Sequence, residues 1–337
     1  MQKTPPKNNE LFAPLSGRVT PRFSGLSTFM RLPYLGIEKS DDVEVGIVGV
    51  PWDGGTSNRP GARMGPRELR LTSSMMRQVN HDSGMAPFLL ANCADLGDTP
   101  VNPFDIDETL RSVETYFRPI HERGIATLAA GGDHLITLPI LRSLAQKGPV
   151  GLVHFDAHMD TTDTQFGKKY AHGTLFRRAI EEGLVDPQRM IQIGIRGGFY
   201  GNDSFQWSKD QGIQIVTTEE VYRAGADAIG QLALSKIGEG PVYVSFDIDG
   251  LDPVYAPGTG TPEIGGFDTL QAQIMIRALE PLDIVGCDLV EVAPDLDPSG
   301  LTTLTGITLM WELLCVLTNA VARRRSTSGS RNQVRQE

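Results

Sequence analysis

The 337-residue sequence has little cysteine: Cys93, Cys287 and Cys315 are its three, far apart and odd in number. They form neither a C-x-x-C metal pair nor a disulfide framework, which points to a reducing compartment. Positive charge is also short, with 31 Lys and Arg against 41 Asp and Glu and a net charge of -10. That field repels nucleic acid and anionic lipid at long range and attracts cations. No stretch reads as the roughly twenty apolar residues of a membrane span. The start, Met1 to Glu10, has no apolar run behind its charges to act as a secretory signal. The expectation is a soluble, cytoplasmic protein with neither a nucleic-acid nor a membrane partner.

What is present is ordinary globular composition, 40% hydrophobic and 21% charged, on a chain long enough for one large α/β domain. Residues 1–40 are rich in Pro, Ser and polar groups around an apolar island at Phe29–Pro33, and read as an arm laid over the domain or a neighbour. Residues 41–322 read as the single catalytic domain, and residues 323–337 as a polar, mobile tail. Seven apolar runs recur between helical patterns: Val43–Val50, Ile125–Ala130, Val150–Phe155, Met190–Ile195, Ile213–Val216, Val242–Phe246 and Ile284–Val290. Runs that are apolar on both faces and rich in β-branched residues suit the buried strands of a parallel sheet covered by helices on both sides. Polar residues gather just after them: Asp53, Asp133 and His134, Asp156 to Asp160, Asp247 and Asp249, and Glu291. In open α/β sheets the site lies beyond the carboxyl ends of the strands, so groups distant in sequence can converge there.

The segment Asp156-Ala157-His158-Met159-Asp160 carries ionisable groups at every second position. Extended backbone sends alternate side chains to one side, so these three can enter one cavity. Asp247-Ile248-Asp249 repeats the device with two carboxylates. Crowded carboxylates repel and are costly to desolvate, and a pair of divalent cations relieves both. Oxygen-rich ligation with a minority of imidazole favours Mn(II), Ni(II), Co(II) or Fe(II) over structural zinc. Either segment alone also fits a solvated loop or a helix cap. Gly131-Gly132-Asp133-His134 adds another imidazole at a strand end, with Asp133 expected as a hydrogen-bond partner. His154 is left unassigned, His81 and His121 read as surface or core histidines, Asp53 as a turn residue at the site mouth, and Arg196 as a site or structural ion-pair residue.

These blocks, with Ala171-His172-Gly173-Thr174 and Ser245 to Pro253, resemble the ureohydrolase signatures, in the same order, from about Pro21 to Leu317. The resemblance to the arginase/agmatinase group implies the arginase/deacetylase-like fold, three layers α/β/α around a central eight-stranded parallel sheet. It also implies a homo-oligomer, trimer or hexamer, and two divalent ions per chain, Mn(II) first and Ni(II) as the alternative. One ion would be held by His134, Asp156, Asp160 and Asp247, the other by Asp156, His158, Asp247 and Asp249, with Asp156 and Asp247 bridging. The ions would generate hydroxide from water near neutral pH for attack on a guanidinium carbon. Asp160 would relay a proton to the leaving amine with His172 as shuttle, and Glu291 would pair with the guanidinium.

The longer blocks Phe166–Ala179 and Ala256–Gly266 are similar to guanidinobutyrase and guanidinopropionase, which implies a guanidino acid as substrate, with Lys168 or Lys169 to attract its carboxylate. One departure is Pro294-Asp295-Leu296-Asp297, where those enzymes tend to carry Pro-Pro-aromatic-Asp. Asp295 adds negative charge and Leu296 removes an aromatic wall, which suits agmatine, guanidine or a biguanide such as metformin as the alternative. A further alternative makes the chain the active subunit of a hetero-oligomer with a paralogue. Amide deacetylation on the related fold needs one zinc and fewer carboxylates.

Overall fold

A computed structural model describes residues 10–199 and 201–334, with side chains described to Thr327. Eight strands, β1 Val45–Val50, β2 Cys93–Asp98, β3 Ala126–Gly131, β4 Val150–Phe155, β5 Val185–Ile195, β6 Gln214–Thr217, β7 Pro241–Asp247 and β8 Asp283–Val290, form one sheet. Their order is β2-β1-β3-β8-β7-β4-β5-β6 and every pairing is parallel. The helices are α1 Gly65–Thr72, α2 Pro87–Leu90, α3 Ile106–Glu122, α4 Thr137–Leu144, α5 Leu175–Glu181, α6 Asp203–Asp210, α7 Thr218–Ala224, α8 Ala226–Ile237, α9 Thr269–Ala278 and α10 Leu301–Val334.

Alternation of side chains along each strand divides the core in two. On one face Val45, Ile47, Leu128, Val153 and Val244 pack with residues of α1, α7, α8, α9 and α10. On the other, Val48, Val50, Ala129, Leu152 and Met190 pack with α3, α4, α5 and Trp207 of α6. The result is the expected three-layer α/β/α architecture. The four central strands, β3, β8, β7 and β4, end side by side, and those ends are where the polar blocks begin.

Three sequence expectations change. An eighth strand, β2, pairs with β1 at the sheet edge, although Asp95, Gly97 and Asp98 interrupt its apolar character. The buried Asp95 is tolerated because the Arg70 guanidinium lies 2.9 Å away. The window Leu301–Thr327 of α10 is long and apolar enough to cross a membrane, yet 83% of it is buried inside the fold, as in a core helix. Nor does the chain loosen at residue 323. Helix α10 continues to Val334, and Arg323, Arg324 and Arg325 reach Pro281, Asp283 and Glu44, which offsets the low hydrophobicity of that stretch. Residues 335–337 lie outside the described residues, as do residues 1–9, on which the secretory-signal reading and the start of the arm fall. Within the described arm Phe29, Met30 and Leu32 are buried, anchored by the Phe29 backbone N–H donating to Asp95 at 2.8 Å.

Candidate metal centre

The turn after β3 explains how His134 enters the site. A Cβ on Gly132 would lie 2.2 Å from the Trp52 carbonyl oxygen and 2.6 Å from that of Val50, so only glycine lets these backbones touch. Asp133 then caps the short turn His134–Ile136, accepting from Leu135 N–H at 3.0 Å and from Gly55 N–H at 2.6 Å. Burial, and secondarily the charge of Glu291, pushes the Asp133 carboxyl up to about 8. It is a hydrogen-bond partner, in line with the reading from sequence.

His134 is wholly buried. Its Nδ1 lies 3.2 Å from Asp156 Oδ2, 2.9 Å from Asp160 Oδ2 and 3.2 Å from Asp247 Oδ2. Despite that proximity Nδ1 has no hydrogen bond of acceptable geometry. Its other nitrogen, Nε2, is 2.9 Å from Ser245 Oγ. The Ser245 hydroxyl donates to Asp288 Oδ1 at 2.7 Å, so it must accept from Nε2–H. The Nδ1 lone pair is thereby aimed into a ring of three carboxylates, an arrangement that a cation would satisfy and that no donor among the described residues does.

A second group adjoins the first. His158 Nδ1 is 3.3 Å from Asp156 Oδ1 and 3.2 Å from Asp249 Oδ2, and the His158 side chain is 34% exposed, open to one side. Asp156 belongs to both groups, with Oδ2 toward His134 and Oδ1 toward His158. The backbone N–H of His158 holds Oδ1 at 2.6 Å, and Asp249 N–H holds Asp247 Oδ1 at 2.9 Å, so carboxylates are oriented by the chain itself. Burial raises Asp247 well above the ordinary carboxylate range, and it pushes Asp249 up to about 6. Burial opposes the charging of His134 and of His158, but the surrounding carboxylates outweigh it and raise both. A cluster that holds protons this tightly must release them when it takes up a metal ion. His134, Asp156, Asp160, Asp247, His158 and Asp249 fit two divalent ions by donor type, orphaned lone pair and shared carboxylate.

Glu291 closes the cavity from the end of β8. Its Oε1 accepts from the His134 backbone N–H at 3.0 Å and faces His172 Nδ1 at 3.0 Å. Its Oε2 is buried with no partner and lies beside Gly260. Glu291 and Asp160 both adopt left-handed backbone, φ 63° and 53°, rare for residues with a Cβ. Strain of this kind persists where surrounding structure imposes it, typically at functional sites. Burial alone would lower the His172 imidazole, but Glu291 outweighs it and pushes the ring up to about 9. The Ser57 backbone N–H donates to His172 Nε2 at 3.2 Å, and the Ser57 hydroxyl lies 2.7 Å from the same nitrogen.

Of the residues singled out in the sequence, Asp295 stays outside this cluster, exposed on the turn Pro294–Leu296. Lys168 and Lys169 are exposed on the loop before His172. Asp53 holds the next loop through Arg63 Nε at 2.5 Å and Gly61 N–H at 2.8 Å. Arg196 donates to the carbonyls of Gly194, Asp249, Gly250, Leu251 and Glu263, so its partners are backbone oxygens rather than a carboxylate. His81 is exposed and His121 is half-buried between Ser143 and Thr127. Ser57, Gln192 and Asp288 were not anticipated. Asp288 had a signal, a carboxylate inside the apolar run Ile284–Val290, whereas Ser57 sits in a loop with none.

A parallel three-layer sheet with an acidic, imidazole-bearing cavity across its central carboxyl ends is the framework of a metal-dependent hydrolase. The Arginase family pattern matches residues 43–315. Guanidinopropionase of Pseudomonas aeruginosa is 52% identical over 94% of this chain and 99% of its own length. Guanidinobutyrase of the same organism is 49% identical over 94% of this chain and 100% of its own. Among solved structures, proclavaminate amidinohydrolase of Streptomyces clavuligerus superposes with a TM-score of 0.84 at 39% identity, covering 89% of this chain and 100% of that one. The chain belongs to the arginase family and is an amidinohydrolase. The family is binuclear-metal dependent and commonly oligomeric.

Proposed function

We propose that this amidinohydrolase cleaves a guanidino acid of the 3-guanidinopropionate or 4-guanidinobutyrate type into urea and an amino acid. The observation that carries the reading is the unpartnered Glu291 Oε2, a buried anion with its second oxygen already fixed. A guanidinium presents planar donors that match a carboxylate, and it would neutralise this one. The relatives supply the acid: two enzymes about half identical to this chain are named for guanidino acids.

His134, Asp156, Asp160 and Asp247 would hold one divalent ion, and Asp156, His158, Asp247 and Asp249 the other. Mn(II) is the leading choice for this oxygen-rich set and Ni(II) the alternative. When bound, such ions activate water at neutral pH. The chain's residues do the rest. Glu291 orients the guanidinium so that its carbon faces the cavity floor. The water oxygen bonds to that carbon, and the bond from carbon to the substituted nitrogen breaks. Asp160 takes one proton from the water and delivers it to the departing nitrogen, which leaves as the neutral amine; the second water proton then passes from the oxygen of the protonated urea to that amine, giving urea and an ammonium product. His172, bridging Glu291 and Ser57, exchanges protons with the outside. Lys168 or Lys169 would attract the carboxylate. A homotrimer or homohexamer is proposed for the assembly, supported by exposed apolar side chains on the arm, Val19, Phe23 and Leu26.

Urea release by the chain loaded separately with Mn(II) and Ni(II) tests this against both guanidino acids, agmatine, arginine, guanidine and metformin. A guanidino acid should give the highest kcat/KM. Preference for a simple guanidine or biguanide would transfer specificity to Asp295 and Leu296. Silence on all of them, reversed by adding a paralogous chain, would refute the homo-oligomer.

A further inference from the structure

His154 is the one imidazole near the cluster that neither the sequence nor the proposed ligand set employs. It is wholly buried on β4, two residues before Asp156 and therefore on the same side of the sheet. Its Nε2 is 2.8 Å from Asp156 Oδ2, the oxygen that also faces His134. On proximity alone it joins His134, Asp156 and Asp160 as a fourth metal-ligating group. Its neighbours assign it otherwise.

In the sheet His154 is paired with Gln192 of β5. The Gln192 Nε2 lies 2.6 Å from the Met159 carbonyl oxygen and 3.0 Å from His154 Nδ1. A carbonyl oxygen only accepts, so the nitrogen end of the amide must face Met159; the flipped amide would set oxygen against oxygen. The same NH2 then donates its second hydrogen to His154 Nδ1, which must be the unprotonated nitrogen. The proton of the neutral ring therefore sits on Nε2 and points at Asp156 Oδ2. His154 offers that carboxylate a hydrogen, not a metal a lone pair. The ring cannot swing away, since Phe176 packs against it at 4.5 Å between centroids.

We infer that His154 is a positioning residue, its Nε2–H fixing the bridging carboxylate of Asp156, with its own tautomer set by Gln192 and the Met159 carbonyl. Oδ1 of Asp156 is held by the His158 backbone N–H, so the two oxygens have separate ties, one for each half of the centre. Removing the His154 tie leaves Oδ2 free to turn from the His134 side. Loss of such an outer partner weakens metal binding by about 10- to 100-fold.

The inference rests on the metal reading above, and its test has an arm that needs no metal. In metal-free, full-length chain carrying ¹⁵N-histidine, long-range ¹H–¹⁵N correlation at pH 7.5 should show His154 with Nδ1 unprotonated and Nε2 protonated, its signals identified by their absence from His154→Gln. Mn(II) binding is then titrated by calorimetry in wild type, His154→Phe, His154→Gln and Gln192→Leu. His154→Phe keeps the ring packing without a donor and should bind about 10- to 100-fold more weakly. His154→Gln, which retains an N–H near the Nε2 position, should stay within about threefold of wild type. Gln192→Leu frees the tautomer and should fall between them. A protonated Nδ1 in the wild type, or wild-type affinity in His154→Phe, overturns the inference. If His154→Phe does not fold, the contrast between His154→Gln and Gln192→Leu decides, with equal affinities counting against it. A wild type that binds no metal pair would overturn the metal reading instead, while the tautomer arm still reports on His154.

Discussion

Glu291→Gln separates the binding of a guanidinium from the building of the fold. The amide keeps an oxygen where Oε1 accepts from the His134 N–H and faces His172. What changes is the free oxygen, which becomes an NH2 that would meet the N–H groups of a guanidinium donor to donor. Breaking one partner of a buried ion pair costs about 3–5 kcal/mol. At about 1.36 kcal/mol per factor of ten, kcat/KM for a guanidino substrate should fall by roughly two to three and a half orders of magnitude. Stability should move the other way. Glu291 is one of the charges that raise the buried Asp133 carboxyl to about 8, so its neutralisation relieves repulsion. The urea-unfolding midpoint of the metal-free variant should match or exceed wild type. The pH profile is a third readout: without Glu291 the His172 imidazole, held up at about 9, should titrate at lower pH because burial is left unopposed. The assay is urea release under saturating metal across pH 6–10. A folded Glu291→Gln with kcat/KM within threefold of wild type would refute the assignment of Oε2 to the substrate.

Asp156→Asn should lower the metal content from two ions per chain to below one, measured by elemental analysis after dialysis; two retained ions would mean Asp156 bridges nothing. Gly132→Ala should cost about 3 kcal/mol or more in the unfolding midpoint, because its Cβ would enter the carbonyl oxygens of Trp52 and Val50; a wild-type midpoint would show that the turn has room. The partial burial of His121 lowers its pKa from 6.5 to about 4. A histidine depressed in the fold contributes stability fully above its unfolded pKa and loses it as pH falls toward the folded value. Between pH 7.5 and 5 the wild type should therefore lose about 2 kcal/mol more than His121→Gln, checked by urea unfolding at both pH values, with equal losses counting against it.

The central strands were legible in the sequence because burial on both faces forced unbroken apolar runs. β2 was not, because an edge strand needs less apolar surface and this one carries Asp95, whose charge is met by Arg70 of α1, far from it in the chain. The first half of β5 was hidden as well: Val185 pairs with Val150, but Asp186, Pro187 and Gln188 give that stretch the look of a turn. In the site, the alternating Asp156, His158 and Asp160 declared themselves through period and position. Their supports did not. The role of Gln192 depends on its register beside His154, and that of Ser245 on a hydroxyl between His134 and Asp288, relations between strands that one-dimensional spacing does not contain.

The position of β8 bears on how the molecule is made. This strand is the last of the eight to be synthesised, yet it lies in the interior of the sheet, between β3 and β7. Until it inserts, β3 and β7 have no common neighbour, and His134 is separated from Asp247 by a gap one strand wide. Glu291 arrives with the same strand, on the residue after its end. The nascent chain therefore carries most of its carboxylates before it has a cavity to gather them in. The candidate metal centre is thus complete only once that strand is in place, and pairing of segments so distant in the chain is slow relative to local helix formation.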